Sequence, residues 1–164
     1  NGFLQEWFGI TLNNQYLLFD NKWGSDRGFI WKTAAGLFAA LPFGKKLFGV
    51  GPDCFMPYSY SIPEYAEKLY QYWKPNILTN AHNEFLNLLI CIGIAGLLAF
   101  IAMLCMGVAR FYRASRKSPL ILAGMLCILA YAGSNFFCYQ QVCCTPFLFI
   151  IMGLAESVLR RLEK

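Results

Sequence analysis

The stretch Thr79-Asn80-Ala81-His82-Asn83-Glu84-Phe85-Leu86 is where this chain turns from polar to apolar. Downstream of it, residues 85–109 contain no charged side chain. A run of that length can cross a hydrocarbon core of roughly 30 Å with some tilt. Two further apolar runs follow, residues 119–139 and 142–159, separated by a short polar break at Gln140 and Gln141. Arg110, Arg113, Arg116 and Lys117 follow the first run, and Arg160, Arg161 and Lys164 close the third. Basic clusters of this kind stay on the cytoplasmic side. Residues 1–84 and the 140–143 connection are then extracytoplasmic, and the C-terminus is cytoplasmic. The sequence therefore predicts an all-α polytopic membrane protein fragment. Three transmembrane helices (region 85–164) follow a partly helical extracytoplasmic loop region, residues 1–84.

Composition agrees with that division. The chain is 57% hydrophobic and 14% charged, whereas soluble domains average about 45–50% and about 25%. Its net charge of +5 is unevenly placed. Basic and acidic groups balance in residues 1–84, and the whole excess lies in residues 85–164 beside the apolar runs. Charge so distributed orients a chain in a lipid bilayer and argues against a nucleic-acid partner. Cys91, Cys105 and Cys127 lie inside apolar runs and read as small hydrophobes. Cys138, Cys143 and Cys144 cluster at one connection, and a bridge from them to Cys54 is left open. No cysteine spacing matches a zinc site. The chain starts at Asn1, without an initiator Met, and reads as the C-terminal piece of a longer polytopic protein.

Within the outer region, residues 1–19 are apolar and aromatic but interrupted by polar residues, which suits a segment lying along the membrane interface. Residues 20–26 are turn-forming, with Ser25 or Asp26 as candidate cap for a helix from about Arg27 to Leu41. On that helix Ile30, Ala34, Leu37, Phe38 and Leu41 recur at the spacing of one apolar face. Arg27 and Trp31 are one turn apart and share a side. The segment Phe48-Gly49-Val50-Gly51-Pro52-Asp53 is a tight turn. Residues 55–74 hold seven aromatics, which suit an interfacial belt or simple packing better than a platform for sugar rings. Gly93, Gly96 and Ala99 form a small-residue stripe open to close approach by another helix.

His82 is the one histidine of the chain. With Thr79 or Asn80 as N-cap it falls in the first turn of the long helix, whose positive end favours neutral imidazole. A neutral imidazole accepts a proton, as a general base must. The same helix end offers backbone N–H groups to phosphate oxygens. A lone histidine at a helix start is more often structural than reactive. Asn83 and Asn87, four apart, enter the membrane on one face, where they orient His82 or bond a neighbouring helix. Arg27 forks onto phosphate with a geometry lysine lacks, or else pairs with nearby Asp26 or Asp20. Lys45 and Lys46 suit a lipid headgroup or a diphosphate, and suit a solvated helix end equally well.

Four pieces in order carry a resemblance. They are Arg27-Gly28-Phe29-Ile30-Trp31-Lys32, Phe48-Gly49-Val50-Gly51-Pro52-Asp53-Cys54-Phe55, Ala81-His82-Asn83-Glu84-Phe85-Leu86 and Gly93-Ile94-Ala95-Gly96-Leu97. The order resembles the O-antigen ligase family, whose superfamily also includes O-antigen polymerases and protein O-oligosaccharyltransferases. The likeness runs from Arg27 to Leu98 and more loosely through the last two helices. It implies a glycosyltransferase of the bacterial cytoplasmic (plasma) membrane. The donor would be an undecaprenyl-diphosphate-linked glycan, the second partner a glycan acceptor with a free hydroxyl. His82 matches the family's essential histidine and Arg27 the arginine that starts the loop helix, so these two are the candidate catalytic residues. Trp31, Asn83, Lys45 and Lys46 complete the set as candidate substrate-binding residues. No cofactor or metal is expected, since cationic side chains would hold the diphosphate. The family's N-terminal transmembrane helices, which carry further arginines, are expected as a partner of this region and as a requirement for its activity. A repeat-unit polymerase and a non-catalytic membrane transport or scaffold protein are the alternatives.

Overall fold

The computed structural model describes residues 19–140 and 143–164. The expected interfacial segment, residues 1–19, lies almost wholly outside the described residues. Those residues form eight helices and no strand. In chain order they are α1 (Trp23–Ala40), α2 (Phe43–Phe48), α3 (Phe55–Ser61), α4 (Pro63–Trp73), α5 (Glu84–Cys91), α6 (Gly93–Ala114), α7 (Pro119–Phe137) and α8 (Thr145–Leu162). The all-α expectation holds.

The predicted apolar face organises the first of these. Ile30, Ala34, Leu37 and Leu41 are buried, and Phe38 packs at the edge of their cluster. Phe55, Leu69, Leu78 and Ile90 complete the cluster from α3, α4, the loop after α4, and α5. Tyr60, Tyr65 and Trp73 pack around it, and Tyr72 stacks on Phe29 with ring centroids 3.9 Å apart. Much of the aromatic run is therefore packing. Neither Ser25 nor Asp26 caps α1: with Gly24 they hold positive φ of 61°, 59° and 68°, a left-handed turn that precedes the regular helix at Arg27. Asp26 accepts instead from the Tyr72 hydroxyl at 2.6 Å, tying α1 to α4. That bond and burial push the Tyr72 hydroxyl up to about 12.

The run expected to be one helix over residues 85–109 is two. α5 ends at Cys91 and α6 begins at Gly93, with Ile92 between them out of helical geometry. Gly93 has φ +71°, and a Cβ there would lie 2.3 Å from the Leu47 carbonyl. Only glycine combines that backbone angle with so close an approach. The carbonyls freed by the break are satisfied from the Phe48–Asp53 turn. Val50 N–H donates to Ile90 O at 3.0 Å, and Gly51 N–H to Cys91 O at 2.9 Å. Apolar runs tolerate such interruptions where neighbouring protein supplies the lost bonds. Gly93 thus receives the last turn of the short helix α2 and Gly49 after it, whereas Gly96 packs against Ile92 of its own segment.

Helices α6, α7 and α8 pack through Leu104, Phe111, Ile121, Ile128, Leu148, Ala155 and Leu159. At Gly124 an added Cβ would sit 2.7 Å from that of Ala155, so α7 and α8 touch almost backbone to backbone. Arg110 of α6 grips both carboxylate oxygens of Glu156 on α8, at 2.7 and 2.9 Å. Among the described residues two helices are long and apolar enough to cross a membrane, α6 and α7. Only 11% and 22% of their most apolar windows are buried within the chain, so neither is the core helix of a soluble fold. The third expected span is an 18-residue helix carrying Glu156, Arg160 and Arg161, and it falls short of that test. The bridge left open between Cys54 and the Cys138, Cys143 and Cys144 cluster does not form.

Candidate functional site

Arg27 reaches away from its own turn. Its Nε donates to the Phe137 carbonyl at 2.8 Å and its Nη1 to Gly24 O at 2.5 Å. The nearby carboxylates are taken by others: Asp26 by Tyr72, and Asp20 by the Lys22 backbone N–H. The surface ion pair considered for Arg27 therefore does not form. Among the described residues two of its five N–H groups are engaged, and three have no partner there. Trp31, one turn on, meets the same end of α7, with centroids 5.5 Å from Phe136 and 6.4 Å from Phe137.

His82 arrives at the same place from another direction. It does not lie in the first turn of α5. The N-cap is Asn83, whose Oδ1 accepts from Leu86 N–H at 3.0 Å, and His82 precedes it. Asn80 accepts the His82 backbone N–H at 3.0 Å, and His82 is held at φ +47°, a left-handed conformation that branched or bulky side chains rarely keep. Such strain persists where surroundings impose it, often at functional sites. The imidazole meets the Tyr139 ring edge-on at 5.5 Å. Burial first, and the Arg27 charge second, hold its pKa below the ordinary 6.5. The expected neutral imidazole thus has these two causes. The helix start itself is partly occupied, by the Asn83 cap and by Glu84 in the first turn.

Arg27 and His82, fifty-five positions apart in sequence, therefore converge on Phe137–Tyr139 at the end of α7. The other expected residues divide. Trp31 joins them; Asn83 is buried as a cap; Lys45 and Lys46 lie on α2 and make no ion pair among the described residues. Asn87 keeps a buried Oδ1 with no partner among them.

Local sequence patterns missed three participants. Glu84 is 3% exposed, accepts the Gln140 backbone N–H at 2.8 Å, and has its pKa raised mainly by burial. Tyr139 follows α7 and packs on His82. Asp53, at φ +56°, is delivered by the turn that caps the α5–α6 break. A carboxylate at a membrane entrance beside a histidine was a usable signal for Glu84; for Tyr139 and Asp53 no local pattern existed. These three, with Thr79, Asn80 and Asn87, border a cleft of about 490 Å³.

The fold and site define a helical protein with two helices long and apolar enough to cross a membrane, whose polar residues gather where the loop before α5 meets a broken apolar helix. The sequence model of the O-antigen ligase family matches residues 2–101, more than half of the chain, which belongs to that family. No curated protein and no solved structure matches the chain.

Proposed function

We propose that the chain carries the transfer site of a membrane glycosyltransferase, multi-pass in the bacterial cytoplasmic membrane, with α8 as its third span and the site on the outer face. It moves a glycan from an undecaprenyl-diphosphate carrier to an acceptor hydroxyl. The observation that supports this reading is the convergence of a neutral imidazole and a guanidinium with free donors at the end of α7. As the anomeric C–O bond to the diphosphate breaks, negative charge grows on the leaving group, and Arg27 stabilises it. His82 takes the proton of the acceptor hydroxyl as its oxygen bonds to the anomeric carbon, with inversion. The diphosphate leaves as the anion.

The deciding experiment is His82→Ala in the protein produced from its own gene. Transfer from an undecaprenyl-diphosphate-linked glycan is expected to fall by about 10²–10⁴, the usual contribution of a general base, at unchanged protein level in the membrane. Intact glycan transfer would refute the enzymatic reading in favour of a transport or scaffold role.

A further inference from the structure

At the Ala114 end of α6 a second cleft, of about 440 Å³, opens between α6 and α8. Arg110, Arg113 and Lys117 line it with Glu163, and Met106 and Leu159 form its apolar part. The carboxylates here are already matched. Arg110 bonds Glu163 at 3.3 Å and grips Glu156, which also accepts from Arg160 at 2.8 Å. The side chains of Arg113 and Lys117 are exposed and make no ion pair among the described residues. They lie four positions apart on one side of the chain. The bond from Lys117 N–H to Ala114 O, at 2.9 Å, carries that alignment past the end of the helix. Arg116, in the same basic run, does not line the cleft. The ends of α6 and α8 each bring about half a negative charge. Three cations against one carboxylate exceed both together, so the cleft stays positive.

We propose that this cleft binds one anionic phospholipid, with its phosphate between Arg113 and Lys117 and the start of an acyl chain against Met106 and Leu159. The length of α6 sets the depth. Its 22 residues rise about 33 Å at about 1.5 Å each, close to the roughly 30 Å of a hydrocarbon core. When that length fills the core, Arg113 in the last turn stands among headgroups and Met106, about two turns earlier, among acyl chains. A cleft that is cationic at headgroup depth and apolar below it matches a phospholipid along its whole length. A free phosphate would leave the apolar part empty. The proposal rests on α6 crossing a bilayer and not on the transfer reading, and the cleft lies beyond residues 2–101, the part that the family model matches.

The test is a lipid titration of the protein produced from its own gene, held in neutral detergent and read by native mass spectrometry. Phosphatidylglycerol is the anionic probe and phosphatidylcholine the zwitterionic one. One phosphatidylglycerol is expected to bind about tenfold or more tighter than phosphatidylcholine, and neither inorganic phosphate nor the deacylated headgroup should displace it. Arg113→Gln and Lys117→Gln should each weaken it about fivefold, whereas Arg116→Gln, which removes the same charge from the same run, should change it by less than about twofold. Arg113 and Lys117 are exposed and outside the Arg110–Glu156 grip, so their variants keep the α6–α8 contact. An equal loss in Arg116→Gln would mean diffuse surface charge and no site. Absence of a preference for phosphatidylglycerol would overturn the proposal, and displacement by inorganic phosphate would replace the lipid with a soluble anion.

Discussion

Arg27 donates from Nε to the carbonyl of Phe137, joining residues 110 positions apart at 2.8 Å. This bond aims the guanidinium at the end of α7, where Tyr139 packs on His82. Lysine has neither the planar fork nor the Nε–H that makes it. Arg27→Lys and Arg27→Ala should therefore both lower transfer by about 10²–10³, the range seen when one preorganised charge-stabilising donor is removed. A lysine variant within threefold of the native rate would show that only the charge at this position counts.

The pH dependence follows from the causes that depress His82. Its folded-state pKa lies below 6.5, so the imidazole stays neutral at neutral pH and is protonated only in more acid solution. A rate that needs the neutral form should be flat near pH 7 and fall along an acid limb whose midpoint is below 6.5. Arg27 opposes protonation, so Arg27→Gln should move that limb to higher pH, while burial keeps it under the ordinary value. An acid limb that stayed in place in this variant would mean that the two groups do not interact.

Glu84 should act as a positioning residue. Its carboxylate accepts the Gln140 N–H and so fixes the backbone next to Tyr139. Glu84→Gln keeps an acceptor oxygen and should retain most of the transfer rate. Glu84→Ala leaves a partly buried N–H without its partner, a cost of about 1–3 kcal/mol, and should lower transfer about tenfold. It should also move the acid limb of the pH profile, since burial of His82 depends in part on Tyr139. Equal losses in both variants at an unchanged pH profile would reduce Glu84 to a packing residue.

Two glycines should respond in opposite ways. Gly93→Ala must hold φ near +71° and place a Cβ 2.3 Å from the Leu47 carbonyl. The backbone angle alone costs about 1–2 kcal/mol, and the clash adds to it. Little folded protein should reach the membrane. Gly133 sits within α7 with nothing within 4 Å of an added Cβ. Gly133→Ala should be neutral or stabilising by about 0.5–1 kcal/mol. Protein levels and thermal unfolding in detergent would distinguish the two.

Much of the architecture was legible because its causes are local. Apolar runs, their basic flanks and the periodic face of α1 are properties of contiguous residues, and they located α1, α6 and α7. The order of the Arg27, Phe48–Phe55 and His82 pieces sufficed to identify the family now matched over residues 2–101. The start of α5 was misread by a few positions, because Thr79, Asn80 and Asn83 are all competent caps and only tertiary packing selects Asn83. The break at Ile92 and Gly93 was unreadable in an uncharged run. Its cause, the backbone of residues 47–51, lies some forty positions upstream.

The sequence by itself determined that this is a helical chain with segments long and apolar enough to cross a membrane, and which histidine and arginine to watch, because hydropathy and residue chemistry are written position by position. Only the tertiary structure decided that those two side chains meet at the end of α7, that a helix breaks to accept a loop, and that a cleft opens there. Each of these depends on backbone groups far apart in sequence satisfying one another's hydrogen bonds, and the residue types involved do not specify that pairing.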